Sequence, residues 1–251
     1  MSGDRGSGSA RRGQLVGAAL LAAMVLVGAL IAFGAFGGED PAKDASVVDG
    51  VRGVEETSAL LGGIPQRGIT LGDPAAPATI VVFADLKCSA CRAFALGAQE
   101  TVIRELVRPG DAAIELRLLA NESFGDDDRA GRNAAHRLAV SDQTWPLAEL
   151  AFYNQGSSSS AWIDQAMLQG FANASPLLRG AEIDLRPDAG SRALDAAADR
   201  LVKDLEVSGT PTIFVRPTGD ERPEAFRRVD VARFESPSKA IAEAVAAVRG
   251  T

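Results

Sequence analysis

Histidine and cysteine are nearly missing from this chain of 251 residues, which has one histidine, His136, and two cysteines, Cys88 and Cys91. A structural zinc site takes about four ligands, so these residues cannot complete one built from thiolates and imidazoles, and no metal is expected. A basic surplus is missing too. Lys and Arg number 26 against 33 Asp and Glu, a formal net charge of -7, which argues against nucleic acid as a partner because phosphate binding needs a basic face. Aromatic residues are only 5% while Ala, Leu and Val abound, which favours an α/β arrangement of helices on a small sheet over a large β-sandwich. No internal repeat is visible.

What is present starts with a long uncharged run. Residues 15–36 carry no charge and are long enough to cross a bilayer core at about 1.5 Å per residue. Arg5, Arg11 and Arg12 precede this run and Glu39, Asp40 and Asp44 follow it, so the positive-inside bias predicts a cytoplasmic N-terminus. It exceeds the apolar stretch of a cleaved signal peptide, and no convincing small-x-small cleavage site accompanies it. The expected organisation is a cytoplasmic tail at 1–13, one transmembrane anchor at 14–37, an extracytoplasmic linker at 38–67 with a short helix near 55–61, and a catalytic domain at 68–251. The domain is therefore expected at the cell membrane, outside the cytoplasm.

Within that domain, residues 80–83 form a continuous apolar run that fits a strand buried on both faces. Apolar residues from Phe94 to Val107 recur at helical spacing until Pro109-Gly110, and Ile114, Leu116 and Leu118 then alternate with Glu115 and Arg117. Strand, helix and strand predict a parallel βαβ unit. Helices are predicted at 134–140, 146–152, 161–171 with Ser160 as cap, and 176–183, a helical block within about 128–188. A helix at 191–206, a strand at 212–215, its antiparallel partner at 225–229 and a helix at 236–248 complete the chain.

The cysteines carry the chemistry. Their spacing at the start of a helix puts them within disulfide reach, with the first placed where helix amides favour a thiolate. A structural staple is a poor reason for the pair, since so short a loop gains only about 2 kcal/mol against about 4.7 for a 100-residue loop. Redox exchange outside the cytoplasm is the better reading.

Residues 80–94, IVVFADLKCSACRAF, together with 207–215, VSGTPTIFV, resemble the DsbA-like branch of the thioredoxin superfamily over about residues 68–250. The resemblance implies a thioredoxin fold with the helical block as its insertion. It implies that Cys88 is the nucleophile that forms a mixed disulfide, that Cys91 resolves it, and that no cofactor is needed. Thr210-Pro211 matches the family's cis-proline loop, whose pre-proline backbone pairs with bound substrate. The implied function is insertion of disulfides into exported proteins, with their thiols as substrates and a membrane redox partner for reoxidation. A disulfide reductase or isomerase of the same fold, or a non-catalytic tethered binding or chaperone module, are the alternatives. Two departures stand out: Ser89 and Ala90 replace the Pro-His pair of strongly oxidising members, and Val82 occupies a position where the family commonly has a buried carboxylate, for which a water or Asp85 is the stand-in.

Other features read plainly. His136 is expected to be a packing residue, Asp126, Asp127 and Asp128 a solvated capping run, and Lys87 and Arg92 exposed charges. Trp145, Phe152, Tyr153 and Trp162 are expected to form the core of the insertion.

Overall fold

Strand β5 (Ala78–Asp85) is buried along its whole length, as its uninterrupted apolar run requires. The structure is a computed structural model that describes residues 42–231 and 236–250, and in it β5 pairs in parallel with β6 (Ala112–Leu119) and antiparallel with β7 (Thr212–Pro217). The short strand β8 (Arg227–Val229) pairs antiparallel with β7. On the far side β3 (Gln66–Arg67) and β4 (Thr70–Leu71) add an antiparallel edge, giving a six-stranded sheet ordered β3-β4-β6-β5-β7-β8. The predicted parallel βαβ unit is present, inside a mixed sheet.

One face of the sheet holds Val81, Phe83, Phe214 and Phe226 against Leu201 and Val202 of helix α6 (Ala189–Asp204). Phe214 meets Phe83 and Phe226 edge to face at 5.9 and 6.1 Å, the arrangement ring quadrupoles favour. Helix α7 (Pro237–Arg249) packs on β5 and β7 and against the helical rod that follows the cysteines. That rod begins as α2 (Ser89–Phe94) and continues through a π-helical Ala95–Gln99, a short α-helical Glu100–Val102 and a second π-helical Ile103–Val107. Buried Phe94 and Gln99, and buried Val102 and Val107, lie five positions apart, a spacing that wider i→i+5 turns bring nearer to one face than 3.6-residue turns do.

The insertion consists of α3 (Asp126–Arg137), α4 (Thr144–Tyr153) and α5 (Gln165–Ala174). Trp145, Phe152 and Tyr153 are buried in it as expected, whereas Trp162 is only half-buried. Helix α5 starts later than the sequence suggests, because Asp164 and not Ser160 caps it, accepting the Met167 amide at 2.8 Å. The Ser160 carbonyl is used elsewhere, accepting from Lys87 Nζ at 3.0 Å. The helix expected at 176–183 shrinks to one 3-10 turn, Pro176–Leu178, with Gly180 beyond it in the left-handed region at φ 78°.

The expected linker is corrected in its described part. Residues from Ala42 onward fold back on the domain: a hairpin of β1 (Val47–Val48) and β2 (Val51–Arg52) leads into α1 (Val54–Leu61), which buries Val54, Leu60 and Leu61. Asn154 at the end of α4 clasps this hairpin twice, accepting the Arg52 amide at 3.0 Å and donating to the Arg52 carbonyl at 2.9 Å. The scattered apolar residues of a presumed tether are thus a docking face. The expected tail and transmembrane anchor lie outside the described residues; among the described residues no helix is long and apolar enough to cross a membrane.

Gly53 makes this docking testable. It has φ 82°, and a β-carbon there would sit 2.2 Å from Cγ of Tyr153. Gly53→Ala is expected to lower stability by about 1–3 kcal/mol in urea denaturation, whereas an unshifted midpoint would mean that the hairpin is not held on Tyr153.

Candidate active site

The sheet order gathers three chain segments at one edge. β5 ends at Asp85, β6 runs parallel to it and ends at Leu119, and β7 runs antiparallel, so Thr212 at its start pairs with Phe83. The turn into α2, residues 120–124 and residues 207–211 therefore meet around a cleft of about 570 Å³, with Cys88 and Asp85 in its lining. The Thr210-Pro211 peptide bond is cis, as the resemblance implies.

Cys88 is the N-cap of α2, with extended backbone at φ -75° and ψ 117°, and its Sγ accepts the Cys91 amide at 3.2 Å. As a thiol it donates to the Thr210 carbonyl at 3.4 Å. Both cysteines are free thiols, Cys88 partly exposed and Cys91 buried. The Cys91 side chain donates to Cys88 and, with the Thr210 side chain and the Cys91 amide, brings the Cys88 thiol down to about 6 against the opposing effects of burial and the Asp85 charge. Burial, and then the Cys88 thiolate itself, push Cys91 well above the ordinary thiol range. Ser89 and Ala90 lie between them as the first residues of α2.

Beneath the turn lie two buried carboxyls. Asp85 is 2% exposed and Asp128, from α3, is fully buried. The Asn121 amide donates to both, at 3.2 Å to Asp85 and 2.8 Å to Asp128, and the Lys87 amide donates to Asp85 at 2.8 Å. Burial raises Asp85; burial and the neighbouring Asp85 charge push Asp128 up to about 7. A hydrogen bond joins the two side chains, so the pair shares a proton near neutral pH. Val82, at the position where the family carboxylate is expected, is an ordinary core residue, and the buried acid comes three positions later.

Several plain readings need correction here. Asp126 is exposed, but Asp127 and Asp128 do not form a solvated run. Lys87 is no exposed charge: it is 1% exposed, and Nζ donates to Asp127 at 2.7 Å and to the Phe124 and Ser160 carbonyls at 2.5 and 3.0 Å. Burial works against ionisation of Asp127, but Lys87 and the Trp162 and Ile163 amides outweigh it and hold the carboxyl below its usual range. Arg92 donates to the Phe152 carbonyl at 3.0 Å, tying α2 to α4. His136 is the buried packing residue expected, with Nδ1 2.7 Å from Asp195. The importance of Asp128 was legible in one respect: Asp128, Gly131 and Ala135 fall at i, i+3 and i+7, one buried face of α3.

A family model described as Thioredoxin matches residues 65–229, and the chain belongs to this family. In sequence it is related to disulfide bond formation protein D of Bacillus subtilis (strain 168), 24% identical over 149 residues that make up 58% of this chain and 66% of that relative. The aligned part is thus a little under two thirds of the relative's length. Among solved structures, oxidised BdbD from Bacillus subtilis superimposes with a TM-score of 0.54 at 17% identity, covering 75% of this chain and 98% of that one. Wolbachia pipientis alpha-DsbA1 gives 0.52 at 16% identity, covering 77% and 96%. Both structures share the α/β fold, helical insertion included.

Two measurements probe the site. Alkylation of Cys88 is expected to rise with pH around a midpoint near 6 and then level off, while Cys91 stays unmodified at pH 8; equal reactivity of the two thiols would contradict the geometry. A depressed thiol stabilises the reduced protein above the unfolded thiol pKa, and this contribution fades as pH falls through about 6. Lys87→Met leaves the half-buried Asp127 carboxylate without its cation and the Phe124 and Ser160 carbonyls without their donor, and is expected to cost about 1–3 kcal/mol in denaturant titration.

Proposed function

We propose that the protein is a thiol–disulfide oxidoreductase that introduces disulfides into exported proteins, held at the cell membrane by residues 14–37 with its catalytic domain outside the cytoplasm. The observation that carries this reading is the unequal cysteine pair, a partly exposed low-pKa thiol capping a helix beside a buried high-pKa one, at the edge of an open cleft. The name of the Bacillus relative, disulfide bond formation protein D, supports the same direction.

In the proposed cycle a substrate thiolate attacks Cys88 Sγ of the oxidised pair. The Cys88–Cys91 bond breaks and Cys91 leaves as a thiolate, which takes a proton because its thiol form is strongly favoured. The Asp85–Asp128 pair, holding one shared proton close to the turn, is the donor. A second substrate thiolate then attacks the mixed disulfide, forms the substrate disulfide and releases Cys88 as a thiolate. Two substrate thiols are oxidised as one protein disulfide is reduced, and a membrane redox partner takes the electrons back. A thiol near 6 is a ready leaving group, and its ionisation at pH 7 stabilises the reduced form, which moves the potential toward the oxidising end.

Cys91→Ser is expected to accumulate mixed disulfides of exported proteins on Cys88, identified by mass spectrometry; an absence of trapped species would overturn the reading. A potential against glutathione closer to about -120 than to about -270 mV is expected, the opposite result making the protein a reductase. Asp85→Asn removes the neighbouring charge that, with burial, lifts Asp128 to about 7, so the limb of the pH–rate profile near 7 should move to lower pH.

A further inference from the structure

The cleft beside Cys88 has a one-sided charge. One wall runs from Leu119 to Phe124, the other is residues 207–210, and Asp85 lies in the lining. No Lys, Arg or His lines it; its charged residues are Asp85 and Glu122. Glu122 is exposed, and among the described residues no ion pair engages its carboxylate. It sits in a single 3-10 turn, Glu122–Phe124, that Asn121 caps by accepting the Ser123 amide at 3.0 Å, while the Phe124 carbonyl is pinned by Lys87 Nζ. The wall that presents this carboxylate is thus fixed to the active-site turn. The cation near the opposite wall, Arg228, donates to the Leu205 and Glu206 carbonyls and is not part of the lining.

We infer that this cleft selects substrate segments in which a lysine or arginine lies within a residue or two of the reactive cysteine, with Glu122 as the specificity-determining residue. The inference rests on the exchange reading of Cys88 and names the substrate class for that site. When Cys88 Sγ joins a substrate sulfur, the neighbouring residues of the substrate have to lie along the cleft that Cys88 borders. A cationic side chain there finds an unpaired carboxylate, and an acidic one meets like charge on the wall and in the lining. The overall charge of -7 adds a diffuse attraction for the same substrates, so the local effect has to be separated from it.

The test uses the oxidised full-length protein and three peptides that differ only in carrying Lys, Gln or Glu on either side of one cysteine. Second-order rates of mixed-disulfide formation are divided by the rate of each peptide with an uncharged disulfide, bis(2-hydroxyethyl) disulfide, which removes the effect of the neighbours on the peptide thiol itself. The Lys peptide is expected to exceed the Glu peptide by about two- to fivefold at about 10 mM ionic strength, shrinking toward parity at about 1 M. Glu122→Gln should narrow the ratio and Glu122→Lys should invert it. Glu243→Gln, which changes the net charge by the same unit on the exposed side of α7, should leave the ratio as it is. Exchange with all peptides but an equal ratio in the parent and both Glu122 variants overturns the inference while the exchange reading stands. A ratio that responds equally to Glu243→Gln also overturns it, assigning the preference to net charge. No exchange with any peptide overturns the exchange reading itself.

Discussion

The ammonium of Lys87 joins three separate parts of the chain at one atom. Its three protons meet three acceptors, one from the turn before α3, one from the first turn of α3 and one from the stretch before α5. Such a group is stable inside the protein only while all its partners are in place, so the cleft wall, the insertion and the strand exit are positioned as a set. The consequence reaches the chemistry through neighbours in sequence. Asp127 holds the ammonium and Asp128, next to it, faces Asp85; the Lys87 amide in turn donates to Asp85. A closed circuit of contacts thus runs from β5 through the insertion and back to β5.

Inside that circuit the protein separates charge from protons over a short path. Cys88 gives up its proton readily because the Cys91 thiol, an amide and the Thr210 side chain all point at its sulfur. Burial favours the protonated form of Cys91 and of both carboxyls, and Cys91 and Asp128 each face a negative charge besides, that of Cys88 and of Asp85. Asp85 even works against the Cys88 thiolate, so the low value of that thiol is reached in spite of the acidic floor. The site is a compromise in which one of the two carboxyls proposed to supply a proton to Cys91 also repels the Cys88 thiolate.

Much of this was legible in the sequence because it is local. The apolar run of β5 and the helix after the cysteines each declare themselves within a few residues, and the spacing of Cys88 and Cys91 carries the chemistry, whereas the cis Thr210-Pro211 bond was legible only through the family resemblance. What escaped depends on partners far along the chain. Lys87 reads as a surface charge until Asp127 and Ser160 are seen around it, separated from it by 40 and 73 positions. Asp128 reads as a helix cap because Asp residues favour first turns, and nothing nearby reveals that this helix face points at β5. The hairpin before α1 reads as a linker for a related reason: its apolar residues are too sparse to form a core alone, and the surface that buries them belongs to α4.

The clasp between Asn154 and Arg52 has a mechanical consequence. Any pull on the chain ahead of Ala42 meets first the Arg52 guanidinium, which donates to the Ala42 and Lys43 carbonyls, and then the Ser46–Glu56 contacts, while the Arg52 backbone is itself held by the two Asn154 hydrogen bonds at the end of α4. That helix reaches the cysteines directly, since its Phe152 carbonyl holds Arg92, while Gln155 just beyond it donates to the carbonyls of Leu86 and Cys88. The N-terminal hairpin and the turn that carries Cys88 are therefore joined through one helix by a short series of hydrogen bonds, so a load on the hairpin has a direct path to that turn.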